Sequence, residues 1–318
     1  RWRRRMRDVI LRKTVRIVAG VAAGLAVGGA FVAALSLYLP VMQARAGSAS
    51  LCSWSATLYA PVAQIRRAMG ESAARGEARV VRSEGSRLFL VESPAWRPWV
   101  ALGGSESDAA GVLSHLWSEH EWMRDHNPEE QVRQGDVVLD CGAHVGSFSR
   151  FALDRGASKV VAFEPMESNL ECLRRNFARE IGEGRYIIVP KAVWSTDGEL
   201  AFTVSEYSSG TNSAVLDTGS KTIRVAAARI DTVVKELGIG KVSYIKMDIE
   251  GAEREALKGA RETLAKHKPR LMIESYHLPD DSEVLPATVL AAQSGYQMEC
   301  GPCGVKENRL IPYVLYFR

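Results

Sequence analysis

The stretch Gly135-Asp136-Val137-Val138-Leu139-Asp140-Cys141-Gly142-Ala143-His144-Val145-Gly146-Ser147-Phe148 limits the possible folds more than any other part of the chain. It opens on a turn. Val137, Val138 and Leu139 form a short apolar run suited to a strand buried on both faces. Asp-x-Gly-x-x-x-Gly follows, and then Phe148, Phe151 and Ala152 at helical spacing. Arg155 and Gly156 end that helix with a cation in the last turn and a glycine beyond it. The unit therefore reads strand, glycine-rich turn, helix. Glycines are expected there because the backbone turns sharply and a ligand must approach without a Cβ in the way.

Two glycines at this spacing are a weak signal alone, and the next strand strengthens it. Lys159-Val160-Val161-Ala162-Phe163 is a second apolar run, and it ends in Glu164-Pro165. Glu164 lies 24 residues after Asp140. That is close to the ~20-residue offset at which an acid meets a ribose diol in nucleotide-binding folds. Downstream, strands alternate with helices. Strands are expected over residues 186–189, 242–247 and 270–274, and helices over 169–177, 230–237, 252–266 and 284–294. An inserted antiparallel pair is expected at 200–204 and 222–226. The last strands, 296–300 and 311–317, suit an antiparallel pair. Upstream, 87–91 and 99–102 read as paired strands and 112–123 as a helix. The pattern predicts an α/β doubly wound, mostly parallel seven-stranded sheet with an antiparallel C-terminal strand. Its ligand crevice should open at the strands' carboxyl ends, where Asp140, Glu164, Ala192, Asp248 and His277 fall.

Three blocks resemble FkbM-type class I S-adenosylmethionine-dependent methyltransferases. They are Asp140-Cys141-Gly142-Ala143-His144-Val145-Gly146, Phe163-Glu164-Pro165 and Ile245-Lys246-Met247-Asp248-Ile249-Glu250-Gly251-Ala252-Glu253. The Lys-x-Asp-x-Glu-Gly-x-Glu string of the third block is the most specific. The resemblance runs from about Arg87 to the C-terminus. It implies S-adenosyl-L-methionine as cofactor and O-methylation of a hydroxyl, often on a sugar or polyketide. On that basis Asp140 and the backbone of Gly142, Ala143, His144 and Gly146 would hold the methionine part of the donor. Glu164 would take the ribose hydroxyls, and Ala192 and Val193 would line the adenine. A plain alternative for Asp140 is a cap on the next helix, and for Glu164 a solvated strand end. The family usually carries Asn where His144 stands. Histidine keeps a donor and an acceptor, and it also suits a domain drifting away from catalysis.

Asp248, Glu250 and His277 are the candidate catalytic residues. If the chain is extended there, alternation puts Asp248 and Glu250 on one side, and two close carboxylates can raise one pKa to make a general base. They could bind a divalent ion, but the sequence offers no obvious third ligand, so no metal is expected. Glu253 is expected to begin the next helix, where the dipole favours an anion. His277 is a candidate base near neutral pH, or only a loop residue. Cys141 reads as a small core residue.

The first quarter of the chain is of another kind. Residues 1–16 hold eight Arg or Lys against one Asp, a net of +7, leaving −3 for the rest of a chain whose total is +4. The basic character belongs to a tail, which argues against a nucleic-acid partner. Residues 17–42 carry no charge. Such a run is long enough for a single transmembrane helix in a bacterial inner membrane or an organelle membrane, and too long for the apolar core of a cleaved signal peptide. The basic tail would stay on the cytoplasmic or matrix side, placing the remainder across the lipid bilayer from it. Gly20, Gly24 and Gly28 fall on one helix face and would let a partner helix approach. Residues 43–86 are expected to be a linker. It should carry a short amphipathic helix marked by Leu58, Val62, Ile65 and Met69 and punctuated by Pro61 and Gly70, with the methyltransferase domain beginning at 87. The chain opens on Arg1 rather than Met, so a segment upstream is expected.

Cys300-Gly301-Pro302-Cys303 spells a thioredoxin-like string outside the strand-to-helix context such motifs need. It reads as a hairpin turn, open to a disulfide in an oxidising space. Two functions compete: a membrane-anchored O-methyltransferase, and a methyltransferase-like accessory subunit of a membrane complex. The carboxylates favour the enzyme, because a purely structural domain has no need of them. A nicotinamide-dependent oxidoreductase shares the glycine turn but leaves the block around Asp248 unexplained.

Overall fold

A computed structural model of the chain describes residues 36, 38–46, 51–85, 87–93, 96–101, 108–109, 111–112, 131–204, 212–216 and 221–318. The chain divides into two compact units. One holds Arg1–Ser50 with Val305–Leu310, and the other holds Leu51–Gly304 with Ile311–Arg318. In the first, residues 36 and 38–46 are helical. Among the described residues no helix is long and apolar enough to cross a membrane. The expected span at 17–42 lies outside the described residues except for 36 and 38–42, so the structure lends it no support. The basic tail, the Gly20-Gly24-Gly28 face and nearly all of the helix expected at 112–123 also lie outside them.

The second unit is built on a seven-stranded sheet. Val137–Cys141 (β4), Lys159–Phe163 (β5), Tyr186–Val189 (β6), Tyr244–Met247 (β10) and Arg270–Glu274 (β11) are its parallel strands. Val314–Phe317 (β15) runs antiparallel beside β11, and Met298–Cys300 (β12) pairs antiparallel with β15 at the edge. The order across the sheet is β12-β15-β11-β10-β4-β5-β6. β4 and β10, neighbours at the centre, meet with Lys246 opposite Asp140 and Met247 opposite Cys141. The reversal of strand order falls beside β4, where open α/β sheets place their ligands. The seven-stranded, mostly parallel α/β sheet expected from the sequence is therefore present.

Helices cover both faces. Ser147–Asp154 (α2), Glu167–Asn176 (α3) and Ala178–Gly182 (α4) follow β4 and β5. Ile230–Glu236 (α5), Glu253–Lys258 (α6), Arg261–His267 (α7) and Asp281–Ala292 (α8) flank β10 and β11. One apolar core joins Leu139, Val161, Ile245, Leu257, Leu264, Leu271 and Leu285. A second, on the opposite face, joins Val138, Phe148, Val160, Leu173, Phe177 and Tyr186. This is the two-faced burial that apolar runs without alternation imply. The single helix expected at 252–266 is broken between α6 and α7. A Cβ on Gly259 would lie 2.1 Å from the Trp194 carbonyl oxygen, so the glycine lets the neighbouring chain lie against the break. Gly198–Val204 (β8) and Lys221–Ala228 (β9) form the expected inserted pair, and Ala192–Val193 (β7) joins β9 as a third strand.

The region expected to be a linker is ordered instead. Trp54–Glu77 (α1) is a 24-residue helix that continues through Pro61 and Gly70. Ser53 Oγ accepts the Ala56 N–H at its start, as an N-cap does. Arg79–Glu84 (β1) pairs with Leu88–Glu92 (β2), which pairs with Trp99–Ala101 (β3). Alternation in β1 is weak because most of its side chains face out, so it left little trace in the pattern. The second compact unit begins at Leu51, so it includes α1 and β1. Thr57, Ala60 and Ala63 are the buried face of α1, whereas the predicted stripe Leu58, Val62, Ile65 and Met69 is exposed. Cys303, expected to be free or paired with Cys300, forms a disulfide with Cys52 across 251 residues of sequence. Cys300 remains a thiol and donates to the Leu51 carbonyl oxygen at 3.3 Å. Cys303–Lys306 (β13) and Arg309–Pro312 (β14) form a separate hairpin, so Gly301-Pro302 links two sheets rather than closing one hairpin.

Candidate active site

Between β4 and α2 the chain turns with left-handed backbone at Gly142 (φ 80°), His144 (φ 51°) and Gly146 (φ 91°). Only glycine takes this conformation without strain, with Asn and His the better tolerated of the others. The glycines are also needed for close packing, and the close neighbour is the protein itself rather than a ligand. A Cβ on Gly142 would fall 2.0 Å from the Asp248 carbonyl oxygen, and one on Gly146 would fall 2.2 Å from the Phe177 ring. Gly142 thereby clamps the tip of β4 to the tip of β10. The Gly142 and Ala143 N–H groups donate to the Phe163 carbonyl at 3.1 and 3.0 Å, tying the same turn to β5.

Glu164 sits at the tip of β5 and is 5% exposed. Its Oε2 accepts the His144 N–H and its Oε1 the Met166 N–H, each at 2.9 Å. Burial pushes its carboxyl up to about 7 despite those hydrogen bonds. The Asn169 side chain hydrogen-bonds the same carboxylate. A carboxylate offers about four lone-pair sites, so room is left for a ribose hydroxyl. His144 is partly buried, and burial lowers its imidazole to about 4, leaving it neutral at physiological pH. Ala143 is buried in the α2 face of the core. Val193 packs into the main core, while Ala192 packs with Phe202 and Val225 beside Met166, two residues past Glu164. Of the two residues expected at the adenine, Ala192 is therefore the one whose cluster Met166 joins.

Asp140 is wholly buried and faces inward. Its Oδ2 accepts Ser149 Oγ at 2.6 Å, and that hydroxyl in turn accepts Tyr186 Oη at 3.1 Å. Lys246 Nζ lies 3.6 Å from Asp140 Oδ1, 3.6 Å from Asp248 Oδ2 and 2.9 Å from the Gly142 carbonyl oxygen, to which it donates. Burial works against charge on Lys246, but Asp248 and Asp140 outweigh it and hold the ammonium above its usual pKa. Lys246 thus couples β4 to β10. Sequence reasoning quoted it in the third block and assigned it no role. The available signal was a lysine in the middle of a strand otherwise buried on both faces, which must have an acidic partner.

Beyond β10 the chain is not extended. Glu250 and Gly251 are both left-handed, at φ 54° and 94°. The two carboxylates nevertheless converge, through a turn rather than through strand alternation. Asp248 Oδ1 and Glu250 Oε2 lie 3.8 and 3.6 Å from His277 Nε2. Glu253 does begin α6, as expected, yet it is fully buried and does more. Its Oε1 accepts the Ile249 N–H at 2.9 Å and lies 3.1 Å from His277 Nδ1. Glu274, buried at the end of β11, has Oε2 3.9 Å from His277 Nε2, and no sequence pattern marks it out. Burial alone would keep His277 neutral. Glu253, Asp248 and Glu250 overcome that and raise it to about 9. With a carboxylate cluster around it, His277 is protonated at neutral pH, which makes it a poor base there. Burial would raise Asp248, but Lys246 and His277 hold it below the usual carboxylate value.

Residues 140–298, spanning all of these groups, match the family model of the methyltransferase FkbM domain. The chain belongs to the FkbM methyltransferase family. Among its relatives, the hexuronic acid methyltransferase AglP of Haloferax volcanii is 28% identical over 42% of this chain and 54% of its own length. The 31-O-demethyl-FK506 methyltransferase FkbM of Streptomyces tacrolimicus is 30% identical over 42% of this chain and 62% of its own length. The chain therefore spans little more than half the length of the curated relatives it matches. A methyltransferase FkbM from Methylobacillus flagellatus superposes with a TM-score of 0.46 at 21% identity, over 67% of this chain and 56% of that one. In this chain the glycine turn, the Glu164 carboxylate and the Asp248-Glu250-His277 group all stand at the carboxyl ends of β4, β5, β10 and β11.

Proposed function

We propose that this chain is an O-methyltransferase that methylates a hydroxyl, with a sugar as the first acceptor class to try. One observation carries the reading. The carboxyl ends of the central strands present a buried carboxylate, Glu164, and a charged group, Asp248-Glu250-His277, on either side of one glycine turn. When bound, S-adenosylmethionine supplies a methyl group on a sulfonium, whose C–S electron pair leaves on sulfur as the acceptor oxygen forms the new C–O bond. Glu164 would hold the ribose through the lone-pair capacity that His144, Met166 and Asn169 leave. The turn from Gly142 to Gly146 lies against that carboxylate through the His144 N–H and shapes the donor's cradle. Asp248 and Glu250, with 29% and 20% of their side chains exposed, face the crevice and receive the hydroxyl proton. Lys246 and His277 balance their charge, so orientation and electrostatics provide most of the rate. Asp140, with its partners all internal, supports the turn from below.

The hexuronic acid named for AglP suggests an acidic or neutral sugar hydroxyl as acceptor. Localisation on a membrane, with the domain facing an oxidising space, remains part of the proposal. It is supported by the charge-free run 17–42, by the exposed apolar stripe of α1 and by the Cys52–Cys303 disulfide, since disulfides persist in oxidising compartments. The test is donor titration by calorimetry, followed by methyl transfer from labelled S-adenosylmethionine to a panel of hexuronic acids, neutral glycosides and polyketide alcohols. Donor binding with transfer to at least one hydroxyl supports the enzyme. Absence of donor binding, restored by His144→Asn, would leave only the accessory-subunit reading.

A further inference from the structure

The geometry points to a divalent-cation site formed by Asp248, Glu250 and His277, placed to take an oxygen of the acceptor. The inference rests on the methyl-transfer reading for its role, but not for its existence. One ligand atom from each of the three residues lies within 4.8 Å of the other two. The residues come from three separate points of the backbone. Asp248 follows β10, Glu250 is swung back by its left-handed conformation, and His277 follows β11.

Two independent features of His277 set this group apart from an ordinary acidic cluster. The first is that its side chain is 3% exposed, yet Nε2 makes no hydrogen bond. Nε2 points among Asp248, Glu250 and Glu274 at 3.8, 3.6 and 3.9 Å. Those separations are too long for hydrogen bonds, which close at about 2.7–3.2 Å. They lie near the roughly 3.0–3.6 Å edge between two ligands that each sit about 2.0–2.2 Å from one ion. A buried nitrogen left unsatisfied is costly, and a divalent cation that takes the place of the Nε2 proton, releasing it to solvent, would satisfy it.

The second feature is the other ring nitrogen. Nδ1 lies 3.1 Å from Glu253 Oε1, off the line of a hydrogen bond, and that carboxylate is itself fixed by the Ile249 N–H. A histidine that ligates a metal generally turns its second nitrogen to a carboxylate, which sets the tautomer and aims the first. Glu253, wholly buried, stands in that position. Lys246, 3.6 Å from Asp248 Oδ2, touches the carboxylate on a different oxygen from the one nearest His277.

The donor set is one imidazole and two carboxylates. It suits a first-row divalent ion such as Mn²⁺ or Zn²⁺ better than an all-oxygen ion site. Three protein ligands leave coordination positions open, as at catalytic rather than structural sites. Partial exposure of Asp248 and Glu250 puts those positions toward the crevice. An acceptor hydroxyl bound there would be acidified by the ion. The expected substrate class therefore narrows to hydroxyls with a second oxygen close by, as in a vicinal diol or a hydroxy acid, which can chelate.

The test uses the full chain stripped with chelator and titrated with Mn²⁺ alone, bound ion being read from loss of the free Mn²⁺ spin-resonance signal. Zn²⁺ titration by calorimetry runs in parallel. One equivalent should bind to wild type. Affinity should fall at least 100-fold in Glu250→Gln and in His277→Ala, and about 10- to 100-fold in Glu253→Gln, which touches no ion directly. Circular dichroism establishes that each variant is folded. If His277→Ala unfolds, Glu250→Gln decides, since Glu250 is partly exposed. Wild type binding neither ion, or binding it no better than the variants do, overturns the inference. S-adenosylmethionine is titrated into the same stripped protein. Donor binding without metal binding removes the cation site alone. Metal binding without donor binding removes the methyltransferase reading and leaves the cation site standing.

Discussion

The two sides of the crevice are built on opposite principles. On the donor side, at the tips of β4 and β5, most polar groups find partners within the chain. Glu164 accepts two backbone N–H groups, Asp140 is held by Ser149 and Lys246, and the glycines are filled against by Asp248 and Phe177. On the acceptor side, at the tips of β10 and β11, four carboxylates surround one imidazole. The three facing Nε2 stand at 3.6–3.9 Å, and none of the four makes a hydrogen bond to the ring. The first side is largely fixed by folding, and Glu164 keeps capacity for the ribose. The second carries unspent electrostatic interactions, as preorganised sites do where charge is to be stabilised later. Fixing the donor the same way each time while leaving polar capacity for the acceptor would let one frame serve many acceptors.

The largest effect should come from the joint between the two sides. Gly142→Ala would force a Cβ to within 2.0 Å of the Asp248 carbonyl oxygen at a position with φ 80°. Overpacking and left-handed strain together should cost about 2–5 kcal/mol of stability. Urea denaturation measures it, and a loss under about 1 kcal/mol would mean that the β4–β10 clamp is loose.

Next is Asp248→Asn, which separates the two sides functionally. Turnover should fall about 10²-fold or more, while donor affinity changes little, because the carboxylate acts on the acceptor's side of the reaction. Steady-state kinetics paired with donor titration checks this. Equal loss in both would place Asp248 on the donor side and erase the contrast.

Glu164→Ala should do the converse. Losing a carboxylate that accepts the ribose hydroxyls costs about 1.5–3 kcal/mol, roughly a tenfold to hundredfold rise in the donor's dissociation constant. An unchanged constant in calorimetry, with the domain still folded, removes the ribose assignment.

How legible all this was from sequence depended on the kind of interaction. Buried parallel strands leave unbroken apolar runs, so the order and ends of β4, β5, β10 and β11 could be read almost directly, and with them the placing of Glu164 and Asp248. β1 left no such trace because it is largely exposed, and α1 was cut short on paper by Pro61 and Gly70, which the folded helix tolerates. Charge pairing was the least legible. Lys246, Glu253 and Glu274 gain their roles only when β10 and β11 lie side by side, which no local pattern encodes. His277 was visible as a residue, but its state was not, since three elements must converge before their carboxylates raise its pKa. The Cys52–Cys303 pairing is invisible for the same reason: its two ends are 251 residues apart.

The smallest expected effect is a pH dependence of stability from the donor side. Burial raises the Glu164 carboxyl from its ordinary 4.5 to about 7 in the folded chain. A group whose folded pKa is raised contributes stability in full below its unfolded pKa and loses it as pH rises through the folded value. The loss therefore runs from about pH 4.5 to about pH 7. From pH 6 to pH 8 it amounts to about 1 kcal/mol, because only the upper part of the window is crossed. Glu164→Gln removes the ionisable group, so the variant's melting temperature should fall less than that of wild type over this range. Scanning fluorimetry of the two proteins at matched ionic strength isolates the difference. If the two curves stay parallel, the Glu164 carboxylate is already ionised at pH 6 at little cost, and the donor side is less dry than its 5% exposure implies. If they converge as pH rises, the carboxylate is kept protonated at low pH. Saturating donor should then steepen or flatten the wild-type slope according to whether the ribose hydroxyls prefer the charged or the neutral form. Because hydroxyls donate more strongly to a carboxylate than to a carboxylic acid, the expectation is a flatter slope with donor bound.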